Sequence, residues 1–251
     1  GSRPDVDIAD PDVRIHVRIV RDMCTLSLDM SGESLNRRGY RADPAEASLR
    51  ETVAAGIVLL SGWSGNVPLA DPACGAGTIL IEAALVAARI APGSLRQSFA
   101  FQRLADYRPK LWASLLEEAR AKVRRGALAS IEGGDISADA IKAAGRNAGK
   151  AGVSDLVSFH VRDIRNFSPS GTGGIILCNP PYGVRMTDEK EGIEEFYRVM
   201  GESFKKKCRG WTAYILSGNA AATRHIGLKA SRRIPLMNGP IDCRLLRYDL
   251  Y

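Results

Sequence analysis

The sequence Asn179-Pro180-Pro181-Tyr182 places hydrogen-bond acceptors and a flat ring at the end of a predicted strand. The strand is the short apolar run 174–178, whose composition is typical of a buried strand. The Asn179 side-chain oxygen and the Pro180 carbonyl can accept hydrogen bonds, Pro181 fixes its own φ, and Tyr182 can stack on a planar group. These residue types suit a site that holds a planar group by its exocyclic NH2, with the nitrogen presented for attack.

A glycine turn, Asp71–Thr78, follows another short predicted strand. Gly75 and Gly77 allow a ligand to approach the backbone closely and can adopt positive φ. The turn lacks the third glycine of a dinucleotide-binding sequence, since position 80 is leucine. Asp71 would repel a pyrophosphate but could accept from the amino group of a methionine moiety, directly or through water. We therefore predict that the turn binds S-adenosylmethionine (SAM).

Two further acids are predicted at the ends of the next two strands. Asp135 follows a strand predicted over 127–131; it could accept from both ribose hydroxyls or cap a helix predicted over 137–151. Asp163 follows a strand predicted over 156–161 and could accept from the adenine amino group or act as a cap or turn residue. The predicted cofactor-binding residues are Asp71, Cys74, Gly75, Gly77, Asp135, Ile136, Asp163 and Asn179.

The two sites together predict methyl transfer from SAM to the amino nitrogen of a base. A conjugated NH2 is a poor nucleophile, so acceptors on its N–H bonds must help the nitrogen become tetrahedral. No strong base is required because the proton becomes acidic as the nitrogen gains positive charge. Most of the acceleration is expected from orientation and electrostatics. The predicted catalytic residues are Asn179, Pro180, Pro181 and Tyr182.

Composition restricts the cellular compartment and the kinds of partner that the chain can have. The five cysteines are odd in number and form no C-x-x-C pair, which favours the reducing cytoplasm. With only three widely separated histidines, we expect no metal site. No apolar run reaches the roughly 18 residues of a membrane span, so no membrane association is expected. The net charge of +7 favours a polyanionic partner, and we expect Arg37, Arg38 and Arg41 to contact RNA phosphates.

The periodicity predicts an α/β protein. Strands and helices alternate from residue 65 onward, which is typical of a mostly parallel, doubly wound sheet. Two strands joined at Asn238–Pro240 predict a C-terminal antiparallel hairpin. Residues 12–41 predict another hairpin, which turns at Arg21-Asp22 and must pack on something, because a lone hairpin is marginal in water. A further predicted element is a helix marked by Leu49, Val53, Ile57 and Leu60 that ends at Ser61-Gly62. Helices are also predicted over 78–90 and about 192–208, and strands over 67–70 and 212–217.

Several motifs taken together resemble a known family. They are Ser31–Arg41, Leu49–Glu51, Asp71–Ala84, Asn179–Gly183 and Asn238–Cys243. The combination resembles the THUMP-associated RNA guanine-N2 methyltransferases, and is most similar to the bacterial 23S rRNA guanine-N2 methyltransferases.

The resemblance implies a Rossmann-like class I SAM-dependent methyltransferase domain over residues 45–251. It implies that residues 1–44 are a β-hairpin and basic linker to a THUMP domain that helps to bind RNA, and that this THUMP domain is itself missing from the sequence. It also implies that the target is N2 of a guanine, in 23S rRNA.

Two alternatives remain open at this point. The same four-residue motif serves methylation of adenine N6 or of protein glutamine, because all of these targets present a planar, amide-like NH2. The chain could also be a non-enzymatic RNA-binding factor for ribosome assembly that retains the pocket.

Overall fold

The computed structural model describes residues 6–9, 11–41, 49–126, 128–183 and 190–251, without the side chains of residues 190 and 191. The strands are β1 Arg14–Val20, β2 Met23–Asp29, β3 Leu69–Asp71, β4 Ile131–Asp135, β5 Ser158–Val161, β6 Ile175–Cys178, β7 Thr212–Ser217, β8 Arg232–Asn238 and β9 Ile241–Asp249. The α-helices are α1 Glu51–Ser61, α2 Thr78–Ala87, α3 Pro109–Ala121, α4 Ala138–Lys150 and α5 Lys190–Lys207.

The central sheet has the strand order β5-β4-β3-β6-β7-β9-β8. The first five of these strands are parallel, and β9 runs antiparallel to both β7 and β8. Chain order reverses at β3, which has β4 on one side and β6 on the other. Ligands bind at such a switch point, beyond the carboxyl ends of the strands. The predicted doubly wound α/β sheet with a C-terminal antiparallel hairpin is confirmed.

Each face of the sheet has its own apolar core, because successive side chains of a strand point to opposite faces. In β6, Leu177 packs into the core that contains α1 and α2, whereas Ile176 packs into the core that contains α5. Tyr197 and Phe204 of α5 are fully buried in the second core. The strand ends are thereby fixed between two helical layers.

Strand β4 lies four residues beyond its predicted position over 127–131 and ends at Asp135 itself. The prediction was wrong because Gly133 and Gly134 disfavour a strand by propensity alone. Packing overrides that preference. A Cβ on Gly133 would lie 2.7 Å from Leu80 and 2.9 Å from the Cys74 sulfur, so only glycine fits this strand against α2.

Other boundaries shift by a few residues. Helix α2 ends at Ala87, before the predicted residue 90, because the chain turns at Arg89, whose φ is 55°. Helix α1 begins at Glu51. The predicted domain boundary between residues 44 and 45 lies outside the described residues.

The predicted hairpin forms from β1 and β2, with positive φ at both turn residues, Arg21 and Asp22. One face of this ribbon carries only apolar residues and cysteine, and it is exposed to solvent. Its paired members are Ile15 and Leu28, Val17 and Leu26, and Ile19 and Cys24. Within the described residues, no helix has the length and apolar character to cross a membrane.

Candidate active site

A cleft of about 920 Å³ opens at the carboxyl ends of the parallel strands. It begins beside the turn after β3, passes the ends of β4 and β5, and reaches the segment after β6. Its lining residues are Arg50, Pro72, Ala73, Gly75, Asp135, Ile136, Arg162–Arg165, Asn179–Tyr182, Gly192, Glu195, Phe196, Val199 and Asn238–Ile241. The predicted catalytic segment and part of the predicted cofactor site therefore share one cleft.

The Asn179–Tyr182 segment is braced from within and from β7. The Tyr182 hydroxyl donates a hydrogen bond to the Asn179 side-chain oxygen. Burial raises the pKa of Tyr182 well above its usual value, so this hydroxyl remains a donor. Asn219, just beyond β7, donates its side-chain NH2 to the Tyr182 carbonyl at 2.9 Å. The segment thus has a fixed shape before any ligand binds.

The Tyr182 ring packs against Gly218, which has no side chain. A Cβ on Gly218 would lie 3.2 Å from the Tyr182 ring and 2.7 Å from Ile241. The glycine therefore allows Tyr182 and the turn between β8 and β9 to approach one another. Both contribute to the wall of the cleft.

The glycine turn is tied to the end of β4. The Gly75 N–H donates to Asp135 Oδ2 at 2.9 Å, and Asp135 Oδ1 accepts from the Ser137 N–H at 2.9 Å. Ser137, not Asp135, caps α4 by accepting from the Ala140 N–H. Gly75 lines the cleft with a φ of 52°, and apart from its chain neighbours no atom of the described residues lies within 4 Å of the place where its Cβ would be. A ligand can therefore approach the Gly75 backbone closely.

Gly77 and Cys74 do not line the cleft. Gly77 has a φ of 81°, and a Cβ there would lie 2.8 Å from the Phe159 ring. Cys74 is buried against Gly133, and burial raises the pKa of its thiol well above the usual range. Both residues therefore pack the glycine turn against the protein interior, Gly77 against Phe159 and Cys74 against Gly133.

Asp71 is also placed beneath the turn rather than on the cleft wall. Only 2% of its surface is exposed, and its Oδ1 accepts from the Ala73 N–H at 3.1 Å. Burial raises the pKa of this carboxyl to about 7, although the Ala73 N–H and a hydrogen bond with the Cys178 thiol favour the charged form. Asp71 thus holds the start of the turn through its bond to the Ala73 N–H.

Asp163 and Ile136 line the far end of the cleft. Asp163 caps a short 3-10 helix by accepting from the Arg165 N–H at 2.7 Å, and Arg165 pairs with its other oxygen at 3.5 Å. Ile136 is 71% exposed and offers an apolar surface beside Asp135. The two acids at the ends of β4 and β5 and the apolar side chain between them suit a nucleoside.

Two of the three predicted RNA-binding arginines point into the fold. Arg38 pairs with Glu82 at 3.4 Å and Arg41 pairs with Glu51 at 3.1 Å, and both glutamates are buried. The side chains of Arg38 and Arg41 are only 12% and 17% exposed. Arg37, in contrast, is 71% exposed. Phosphate contact stays a prediction, and Arg37 is the most accessible of the three.

Comparison with known families assigns the chain. The family model described as the RMKL-like methyltransferase domain, UPF0020, matches residues 38–247. The chain belongs to this family. A second model, for the THUMP domain, matches residues 1–29, a range that includes the hairpin of β1 and β2.

Named relatives of this RMKL-like domain come from several bacteria. A Synechocystis protein described as a candidate RNA methyltransferase is 41% identical over 249 residues, which cover 99% of this chain and 65% of that protein. The ribosomal RNA large subunit methyltransferase K/L of Syntrophotalea carbinolica is 40% identical over 259 residues, covering 99% of this chain and 36% of that protein. The chain thus spans between about one third and two thirds of the length of these relatives.

A solved structure gives the fold of the RMKL-like domain. The candidate methyltransferase SMU.472, crystallised with S-adenosylhomocysteine (SAH), superposes with a TM-score of 0.87 at 31% identity, covering 95% of this chain and 62% of that one. The predicted fold, a Rossmann-like class I SAM-dependent methyltransferase, is therefore confirmed, and SAM is the cofactor of this fold.

The cleft of the RMKL-like domain fits this cofactor. Gly75 leaves open space at the turn, and Asp135 and Asp163 place hydrogen-bond acceptors on the cleft near the ends of β4 and β5. Among the residues that the structure describes, no group of three or more His, Cys, Asp or Glu side chains is arranged to hold a metal ion. The expectation of a site without metal remains a prediction.

Sequence reasoning missed several residues of the cleft. They are Arg50, Arg162, Ile164, Arg165, Glu195, Phe196, Val199 and the supporting Asn219. Asn219 could have been found, because it follows β7 just as Asn179 follows β6. The members on α5 carry no local signal, since apolar residues at helical spacing are typical of any core-facing helix.

Proposed function

We propose that the cleft transfers a methyl group from SAM to the exocyclic N2 of a guanine in RNA, with large-subunit rRNA as the substrate. One observation carries the proposal: the glycine turn and the Asn179–Tyr182 segment line the same cleft. A cofactor at the turn and a base at the segment would therefore meet. RNA as the substrate class is supported by the names of the relatives and by the THUMP match, and guanine N2 by the family motifs of the sequence.

The cofactor's nucleoside end is proposed to lie over β4 and β5. Asp135 retains acceptor capacity after its bonds to Gly75 and Ser137 and can accept from the ribose hydroxyls. Asp163 can accept from the adenine amino group, with Ile136 against the ring. SAM supplies an electrophilic methyl group on a sulfonium.

The target base is proposed to bind between the Asn179–Tyr182 segment and the side chains of α5. Tyr182 and Phe196 both line the cleft, and stacking of a base on an aromatic ring contributes about 1–3 kcal/mol. A base in folded RNA must first leave its stack, at a cost of a few kcal/mol. Stacking on either ring would offset this cost.

Asn179 and Pro180 are proposed to orient the nucleophile. The Asn179 oxygen, held by the Tyr182 hydroxyl, keeps a free lone pair for one N–H of the amine, and the Pro180 carbonyl accepts the other. Both bonds strengthen as the nitrogen becomes positive, so they stabilise the transition state more than the bound substrate. As the N–C bond would form and the C–S bond would break, the nitrogen would become acidic and release its proton to water.

Nucleoside analysis tests the proposal. Large-subunit rRNA from cells that lack the protein is incubated with the purified protein and isotopically labelled SAM, then digested and separated. We expect label in N2-methylguanosine. Label in N6-methyladenosine, or in glutamine when ribosomal proteins are included, would replace the proposal with one of its chemical alternatives. Binding of RNA without cofactor binding or any methylation would favour an assembly factor.

A further inference from the structure

Arg50 occupies an unusual position for an arginine. It immediately precedes α1 and lines both the cofactor cleft and a neighbouring cavity of about 650 Å³. Its side chain is exposed, and within the described residues its guanidinium has no carboxylate partner. The adjacent Glu51 is already paired with Arg41.

The Arg41 side chain fixes where Arg50 lies. Arg41 bonds to Glu51 at 3.1 Å, to the Leu49 carbonyl at 3.0 Å and to the Thr78 hydroxyl at 3.4 Å. Thr78 is the first residue of α2, directly after the glycine turn. The start of α1, with Arg50, is therefore held beside the end of the glycine turn.

Electrostatics at this position favours an anion. A cation at a helix N-terminus is disfavoured by the helix dipole, which attracts negative charge. Arg50 therefore lacks compensation from its own helix and from the described carboxylates. Among the described residues, the other arginines that line the cleft are Arg162 and Arg165, which follow β5 at the opposite end. Of these described arginines, Arg50 is the one placed to meet an anion at the glycine-turn end.

We infer that Arg50 binds the α-carboxylate of the cofactor's methionine moiety. The inference rests on the cofactor placement in the proposed function. A guanidinium can take a carboxylate through two parallel N–H···O bonds.

Ligand truncation tests this assignment by calorimetry, without turnover. The two ligands are SAH and its decarboxylated analogue, which lacks only the carboxylate. The variants are Arg50→Gln, Arg50→Lys and the control Arg162→Gln, which removes a charge from the other end of the cleft. Arg50 is exposed, so its variants are expected to fold, which thermal melting checks.

We expect Arg50→Gln to weaken SAH binding about 10- to 100-fold, the loss typical of a hydrogen bond to a charged group. Binding of the decarboxylated analogue should stay within about twofold, Arg50→Lys should restore part of the SAH affinity, and Arg162→Gln should treat both ligands alike.

Equal losses for both ligands, or unchanged SAH affinity, would overturn the inference. Unchanged SAH affinity with a smaller salt dependence of RNA binding would assign Arg50 to an RNA phosphate instead. Failure of the unaltered protein to bind SAH at all would contradict the proposed function itself.

Discussion

Asn179 is the residue on which the proposed chemistry depends most directly. Its oxygen accepts from Tyr182, and this contact gives the amide one orientation before substrate arrives. Fixed acceptors of this kind lower a barrier without reorganising at the moment of reaction.

Replacing Asn179 with alanine should therefore separate chemistry from cofactor binding. We expect kcat to fall by about 10²–10³, the effect of removing one positioned polar group, and SAH affinity to change by less than about threefold. Single-turnover methylation and calorimetry measure the two quantities. Asn166→Ala, an exposed asparagine outside the cleft, is the matched control. Comparable losses of turnover and SAH affinity would mean that Asn179 mainly shapes the cofactor site.

Asp71 connects the cofactor turn to the stability of the fold. Burial raises the pKa of its carboxyl from 3.8 to about 7, so the folded state keeps a proton that the unfolded state releases. Stability from this group is therefore complete below about pH 4 and is lost as the pH rises toward 7. Above pH 7 its contribution is constant.

Asp71→Asn should remove that pH dependence. Between pH 5 and pH 8, we expect the free energy of unfolding to fall by about 2–3 kcal/mol more in the unaltered protein than in the variant. Urea denaturation at the two pH values gives the comparison. Buried Glu82, whose pKa is also raised by burial, is present in both proteins and cancels. Parallel pH profiles would show that Asp71 is ionised throughout this range.

At the scale of elements, the insertion between α2 and β4 braces the linker that follows β2. Arg96 donates four hydrogen bonds to backbone carbonyls of this linker, and its guanidinium lies 4.8 Å from the centre of the Phe99 ring. The accepting carbonyls belong to Ser31, Glu33, Ser34 and Arg37. The Phe101 N–H also donates to the Met30 carbonyl. The Arg96 side chain thus makes most of these contacts, which hold the linker in place.

Arg96→Ala should loosen residues 31–38 selectively. We expect amide hydrogen exchange in this segment to quicken about tenfold or more, since the loss of several hydrogen bonds lowers the free energy of local opening. Exchange in α2 should stay unchanged. Arg125→Ala is the control, because it removes a similar contact, to Asp155 and the Gly152 carbonyl, elsewhere on the surface. Unchanged exchange over 31–38 would show that other contacts hold the linker.

The sequence was informative for elements whose local pattern agrees with their environment. The N-terminal hairpin follows from alternation, both hairpins follow from their turn residues, and the strand before Asn179 follows from its apolar run. The glycine turn follows from its spacing. Strand β4 did not, because its glycines are explained only by side chains distant in sequence. The role of Arg50 was missed for the same reason, since its surroundings exist only after α1 and α2 pack together.

At the scale of the whole molecule, the arginines of the linker that follows β2 fall into two groups, which differ in whether their ion pairs are buried. Arg38 and Arg41 neutralise buried glutamates, whereas Arg37 forms only an exposed ion pair with Glu33. Exposed pairs contribute little, about 0–1 kcal/mol, so Arg37 can exchange its partner for a phosphate. Breaking a buried pair costs about 3–5 kcal/mol.

Arg37→Ala and Arg38→Ala should therefore affect different properties: the first RNA binding, and the second the stability of the fold. Arg37→Ala is expected to lower the salt slope of RNA binding by about one unit at unchanged urea midpoint. Arg38→Ala is expected to lower the urea midpoint because Glu82 loses its partner. Filter binding across a salt series and urea titration measure the two effects. A salt slope unaffected by Arg37→Ala would remove this residue from the RNA surface.

The pairs of Arg38 with Glu82 and Arg41 with Glu51 have a consequence for how such chains are assembled in evolution. The two arginines lie before residue 44, whereas their glutamate partners are on α1 and α2. A shortened chain that starts at residue 45 would strand two carboxylates in an apolar interior. A chimaera with a different N-terminal module would keep both buried ion pairs only if the junction fell upstream of Arg38. The structural boundary of the methyltransferase domain therefore lies before these arginines.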